Sequence, residues 1–179
     1  IISRGLGRSY GDPAQCDNGL VVNTSNLNFM ELNNNDLLLR AGSGTKFCDI
    51  LNYIVPKGFF IPVSPGTKNI TLGGAISADI HGKNHHCDGS FANHVESISI
   101  VDGKGDILIL TPNDSAFWAV SGGMGLTGII LEATFKLIPI ETSLIKVNTE
   151  KFKDIESLMD RMVEVDNKFR YSVAWIDSL

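Results

Sequence analysis

The sequence predicts an α+β domain of antiparallel hairpins with short helices set between them, on three observations. "SISIVDGKGDILILT" reads as two strands joined across a glycine-containing turn. "TGIILEATFKLIPI" alternates along its length as a strand does. Between such runs lie segments whose apolar residues recur at helical spacing, and hairpins interleaved with short helices define the α+β class.

The elements follow in order. "IISRGLGRSYGD" reads as a strand entering a glycine loop, and "GLVVNTS" and "DLLLRAGSG" as short strands bounded by Asn, Asp and Gly. In "TKFCDILNYIVPKG", Phe47, Ile50, Leu51 and Ile54 share one helical face, with Thr45 as the expected N-cap and Asp49 in the first turns. "FFIPVSPGTKNITLGGAISADIHG" passes from a strand through a Pro-Gly turn into a second helix starting near Leu72. "DSAFWAVSGG" gives a further short helix. In the strand that follows, alternation puts Ile129, Leu131, Ala133, Phe135 and Leu137 on one face and Ile130, Glu132, Thr134, Lys136 and Ile138 on the other.

Beyond Pro139 the texture changes to one amphipathic helix, with Ile155, Leu158, Met159, Met162 and Val163 expected inward, and then a strand over "RYSVAWIDSL". The expected division is therefore a first domain over 1–143 and the beginning of a second α+β unit over 144–179. The chain opens without Met, and both ends read as strands, so a fragment is expected.

Composition excludes several classes of function. The 179 residues are 43% hydrophobic and 20% charged, ordinary for a soluble globular fold. A net charge of −5 with no Lys/Arg cluster argues against nucleic-acid binding, which needs a concentrated basic face. The longest apolar runs fall far short of the roughly 20 residues of a membrane helix. Cys16, Cys48 and Cys87 are odd in number and widely spaced, which favours buried thiols in a reducing, cytoplasmic compartment over a disulfide framework.

The 18 glycines cluster. "GMGLTG" at 123–128 matches GxGxxG, but a helical segment precedes it and a strand pattern follows, the reverse of a dinucleotide-binding βα turn. "RGLGRSYGD" at 4–12 follows a strand with no helix after it, so its successive amides can form an anion-binding nest. "SPGTKNITLGG" at 64–74 runs into a helix whose start holds Gly73, Gly74, Ala75, Ser77 and Ala78, small enough for a ligand to approach the backbone. Two such cradles suit a pyrophosphate; tight glycine packing for its own sake is the alternative.

All four histidines fall in "SADIHGKNHHCDGSFANH", 77–94. His81, His85, His86 and Cys87 lie within seven residues, yet a zinc site ordinarily draws ligand pairs from separate segments, and His94 alone is left to supply the second pair. A polar loop bordering a ligand is the reading adopted, without a metal, with His85, His86 and His94 satisfying local backbone groups.

"RGLGRSYGD", "SPGTKNITLGGAISADIHGKNHH", "GSFANHVESISIVDGKGD" and "FWAVSGGMGLTGIILEATFKLIP" together resemble the PCMH-type FAD-binding domain of the vanillyl-alcohol-oxidase family, over nearly the whole chain and as far as "YSVAWIDSL". Within that family the pattern is most similar to oxidases acting on a polyprenylphosphoryl ribose. The resemblance implies that Arg4, Gly5, Leu6, Gly7, Arg8, Ser9, Tyr10 and Gly11 hold the FAD pyrophosphate and that Gly66, Thr67, Thr71, Gly73 and Gly74 cover its other side. It places Ala78, Asp79 and His81 beside the ribityl and isoalloxazine portions, and Ile129 near the adenine. Arg8 stands where covalent relatives carry a flavin-linked histidine, so FAD is expected to be non-covalent.

The implied activity is oxidation of the sugar 2-hydroxyl to a 2-keto product by hydride transfer to flavin, one half of an epimerisation serving cell-wall biosynthesis. His81 would orient or deprotonate the hydroxyl, Tyr10 would hydrogen-bond from the opposite loop, and Lys83 would meet a substrate phosphate. An NAD-dependent reductase is the implied partner, and a polyprenyl substrate implies peripheral membrane contact. The family's catalytic lysine belongs to a later segment, so these 179 residues are expected to bind FAD incompletely and not to turn over alone. An aldonolactone or alditol oxidase of the same fold and a non-catalytic nucleotide-binding fragment are the rival readings.

Overall fold

A computed structural model of the chain describes residues 1–177. β1 (Ile2–Arg4) pairs in parallel with β2 (Val21–Asn23) and delivers the chain into the first glycine loop. The central sheet is built from β3 (Met30–Asn33) and β4 (Leu38–Gly42), then, after α1 (Phe47–Ile54), the two-residue β5 (Phe59–Phe60), α2 (Leu72–Ser77) and α3 (His85–Asp88), from β6 (Val95–Val101) and β7 (Ile107–Leu110). After α4 (Ser115–Val120), β8 (Ile129–Lys136) closes it in the order β3-β4-β8-β6-β7, with every pair antiparallel. β9 (Ile138–Pro139) pairs with β5, and α5 (Ile155–Val165) follows. The predicted hairpin is β6–β7. The GxGxxG segment lies between α4 and β8, so it is a turn entering a strand.

The core forms where the inner face of the sheet meets α1, α2 and the 3-10 turn at 91–94. Phe91 stands between Phe47 and Phe135, with ring centroids 5.5 and 5.4 Å away, and all three are fully buried with Leu39, Ile50, Ile54, Leu72, Ile76 and Ile98. Each such side chain contributes about 1.5–3 kcal/mol of burial. The rows holding Leu72, Ile76 and Phe91 therefore anchor the segments on either side of the histidine loop.

Five expectations are corrected. The cysteines are free but not buried: Cys16 and Cys48 are half-buried and Cys87 is exposed. Lys46, not Thr45, occupies the N-cap of α1; buried Thr45 instead donates its hydroxyl to the Phe29 carbonyl at 3.2 Å and accepts the Leu72 amide at 2.9 Å. A buried hydroxyl bonded across the fold has no freedom to cap its own helix. In β8 the alternation breaks, because Glu132 pairs with Ser99 but Ile130 with Ile100, leaving Leu131 as the extra residue of a bulge. Ile130 is thereby turned into the core with Ala133 and Phe135, while Ile129 and Leu131 are only half-buried.

In α5 none of the five expected inward residues is buried: Leu158 and Met162 are half-buried and Ile155, Met159 and Val163 exposed, so the described residues leave most of that stripe uncovered. Finally, 170–177 carry no strand pairing, so the expected last strand does not form there; its last two residues, 178 and 179, lie outside the described residues. Among the described residues, no helix is long and apolar enough to cross a membrane.

Candidate functional site

The start of α2 is held on three sides. Thr71, in extended conformation, caps the helix by accepting the Gly74 amide at 3.2 Å. The Leu72 and Gly73 amides donate to the carbonyls of Thr45 and Ser43 at 2.9 and 2.7 Å. Gly73 is required by close approach, since a Cβ there would lie 2.9 Å from the Ser43 Cβ. Gly66 faces open space, and the Thr67 hydroxyl accepts the Asn69 amide at 3.1 Å, shaping the turn that leads in.

The first glycine loop leans on this point. A Cβ on Gly5 would collide with the Thr71 hydroxyl, so the two glycine clusters, distant in sequence, touch. Gly7, at φ +61°, folds the chain over the Arg4 side chain, and Gly11 is again left-handed at φ +70°. Among the described residues, no backbone amide from Gly5 to Gly11 donates to another protein atom. Arg8, Ser9 and Tyr10 stand at the exposed rim, Tyr10 fully so, and Leu6 is half-buried beneath them.

A third segment joins them. The Gly122 and Met124 amides donate to the carbonyls of Ile76 and Ser77 at 3.0 and 2.8 Å, and Gly125 faces Ser3 of β1. The GxGxxG turn thus bridges the end of α2 to the start of the first loop, a role its sequence did not reveal. Ile129 opens β8 at the far end of this turn, opposite Val101.

Past α2, Ala78 closes the helix through its amide to the Gly74 carbonyl, and Asp79 turns the corner at φ +39°. The Asp79 carboxylate accepts the Ala92 amide at 2.9 Å, so it fixes the return of the histidine loop. His81 bridges Ser90 through the backbone and presents an exposed ring edge-on to His85, centroids 5.6 Å apart. Lys83 is exposed beside it.

The histidines differ in their partners. His86 Nε2 lies 3.1 Å from the Phe169 carbonyl and His94 Nε2 2.9 Å from the Asp88 carbonyl, each satisfying backbone. His85 departs from that expectation, its ring meeting His81. No three His, Cys, Asp or Glu side chains among the described residues come together to hold a metal ion.

One electrostatic feature was not legible in advance. Arg170 grips the Asp88 carboxylate through Nε at 2.8 Å and Nη2 at 3.0 Å, and this guanidinium, with Asn84, holds Asp88 below the usual carboxylate range. The same pair raises Arg170, while burial pushes the Tyr171 hydroxyl up.

These features fit a dinucleotide. Among the described residues, the first loop leaves successive amides unpaired that could serve a diphosphate without a lysine, and glycines at 5 and 73 let it and the start of α2 pack closely against Thr71 and Ser43. The buried hydroxyls of Ser43 and Ser121, flanking α2 at its two ends, have no partner among the described residues. Sequence reasoning missed both serines; the only signal was their adjacency to glycine clusters.

Residues 1–111 match the FAD binding domain family, and the chain belongs to it. Among its relatives, decaprenylphosphoryl-beta-D-ribose oxidase of Mycolicibacterium smegmatis is 39% identical over all of this chain and 40% of the relative's own length. An uncharacterized protein of Streptomyces coelicolor is 39% identical over 70% of this chain and 34% of its own. Cytokinin dehydrogenase 2 of Arabidopsis thaliana is 29% identical over 76% and 28%. The chain therefore spans well under half the length of the relatives it matches.

Proposed function

We propose that this chain is the FAD-holding part of an FAD-dependent oxidoreductase that oxidises the 2-hydroxyl of a polyprenylphosphoryl ribose to the 2-ketone. The observation that carries it is the meeting of Gly5 with Thr71, which sets an unpaired amide nest against the capped start of α2, with His81 and Lys83 on the loop that follows. The match to a ribose oxidase, over all of this chain and 40% of that relative, supports the sugar and its lipid phosphate.

Arg4 to Gly11 would hold the diphosphate through backbone amides, and Thr71, Gly73 and Gly74 would bound its other side. Bound FAD supplies a two-electron acceptor for the carbinol hydrogen. His81 would take the hydroxyl proton on a ring nitrogen, so that proton and carbinol hydrogen would leave by separate routes. Lys83 pairs with the substrate phosphate as a point charge. Tyr10, at the exposed rim, would hydrogen-bond the sugar from the opposite loop. Arg8 cannot form the bond that covalent relatives make through histidine, so FAD is held without one.

In this reading residues 1–143 carry the cofactor and 144–179 begin the unit that covers the substrate, on the cytoplasmic side and in peripheral contact with the membrane that supplies the lipid. The 2-ketone calls for an NAD-dependent reductase to complete epimerisation. The test is flavin release and turnover of the FAD-loaded full-length protein that carries these residues: acid precipitation leaves FAD in the supernatant, and decaprenylphosphoryl-β-D-ribose gives a C2 ketone. Flavin on the pellet refutes the non-covalent assignment; turnover of an aldonolactone or alditol in preference to the ribose moves the enzyme to that class.

A further inference from the structure

The histidine loop is held from two directions, and both converge on Asp88. From the body of the domain, fully buried Asn84 donates through Nδ2 to the Pro62 carbonyl at 2.8 Å and to Asp88 Oδ2 at 2.6 Å, while His94 lies against the Asp88 carbonyl. From the segment after α5, Arg170 grips both carboxylate oxygens of Asp88, the Ser172 amide donates to the Lys83 carbonyl at 3.0 Å, and His86 meets the Phe169 carbonyl. Asp166 adds an acid 3.6 Å from His86. The carboxylate is only 19% exposed, so a planar fork engaging both its oxygens is a directional restraint, unlike a solvated surface pair.

We propose that Arg170 is a positioning residue: by clamping Asp88 it ties the segment after α5 to the loop carrying His81 and Lys83 and holds those two side chains in register for the sugar. Arg170 acts through Asp88 and the loop backbone. The inference rests on the functional reading only in that His81 and Lys83 serve the reaction; the clamp itself is a property of the loop. A lysine at 170 retains the charge but not the fork, so the fork and the charge are separable.

The experiment compares wild type, Arg170→Met and Arg170→Lys in the FAD-loaded full-length protein that carries these residues. FAD content and visible spectrum are expected to be unchanged, because neither glycine cluster contacts Arg170. Limited trypsin cleavage after Lys83, followed by mass spectrometry, should accelerate at least fivefold in Arg170→Met, since proteolysis reports the open population of a segment. Turnover of decaprenylphosphoryl-β-D-ribose should fall at least tenfold in kcat, with Arg170→Lys intermediate in both readouts. Unchanged cleavage overturns the clamp; faster cleavage with full kcat overturns the positioning role. A His81→Asn holoprotein run alongside separates the two readings: if it turns over normally the functional assignment fails, and the cleavage result still decides the clamp.

Discussion

The two glycine clusters look alike as sequence and differ as structure. The one at 64–74 is finished before any ligand arrives: its amides at Leu72, Gly73 and Gly74 are already given to Thr45, Ser43 and Thr71, and Leu72 and Ile76 root it in the core. In the one at 4–12, the amides of Gly5 to Gly11 have no protein acceptor among the described residues, and most of its residues are exposed. The first is a finished wall, and the second is the surface proposed to take the diphosphate. Glycine is needed in each for a different reason: close packing at Gly73, and a left-handed backbone that turns successive amides outward at Gly7 and Gly11.

The largest expected effect lies beyond both clusters, on the reaction they serve. His81→Asn should lower kcat by about 10²–10⁴, the span of a lost general acid-base group, with FAD content unchanged. Assay of turnover beside the flavin spectrum checks this, and loss of FAD would instead make His81 part of the cradle.

Next comes the seam. Gly5→Val must push Thr71 aside, so FAD affinity should fall at least tenfold while circular dichroism stays native; equal affinity would show that the seam does not shape the site. Gly73→Val, by contrast, should act on the wall itself, costing about 1–3 kcal/mol of stability through overpacking against Ser43, read as a lowered Tm.

A smaller effect is expected at the cap. Thr71→Ala removes the acceptor of the Gly74 amide and should cost about 1 kcal/mol in denaturant unfolding, with FAD binding weakened less than by Gly5→Val.

The smallest concerns pH. Arg170 holds the Asp88 pKa below its ordinary 3.8, so the pair stabilises the fold above that pH and its contribution disappears as pH falls through the depressed folded value. The Tm difference between wild type and Arg170→Met, worth about 1 kcal/mol or less at neutral pH, should vanish in that acidic window; a difference that persists there would deny Asp88 the role.

The central sheet was legible because alternation and turn chemistry act locally: the β6–β7 hairpin and the α1 face of Phe47, Ile50 and Ile54 needed no partner to be recognised. Where the partner decides, sequence reasoning failed. The Leu131 bulge is a matter of register against β6, and Thr45 abandons its cap for a carbonyl on β3's approach. In α5 the same periodicity that buries α1 leaves Ile155, Met159 and Val163 exposed, since an apolar stripe states only that a face can be covered.

The site shows the same division. The glycine loops and the histidine segment were visible as composition and as a family resemblance. The Gly5–Thr71 contact, the orphan Ser43 and Ser121 hydroxyls and the Arg170–Asp88 fork arise between segments far apart in the chain, and no local pattern announces them.

The most direct test of the account is amide hydrogen exchange with and without added FAD. FAD should slow exchange at the amides of Gly5 to Gly11, which have no protein acceptor, and change Gly73 and Gly74 little, since these are already bonded. Protection that leaves residues 5–11 unchanged would contradict the assignment of this loop as the surface that binds the diphosphate.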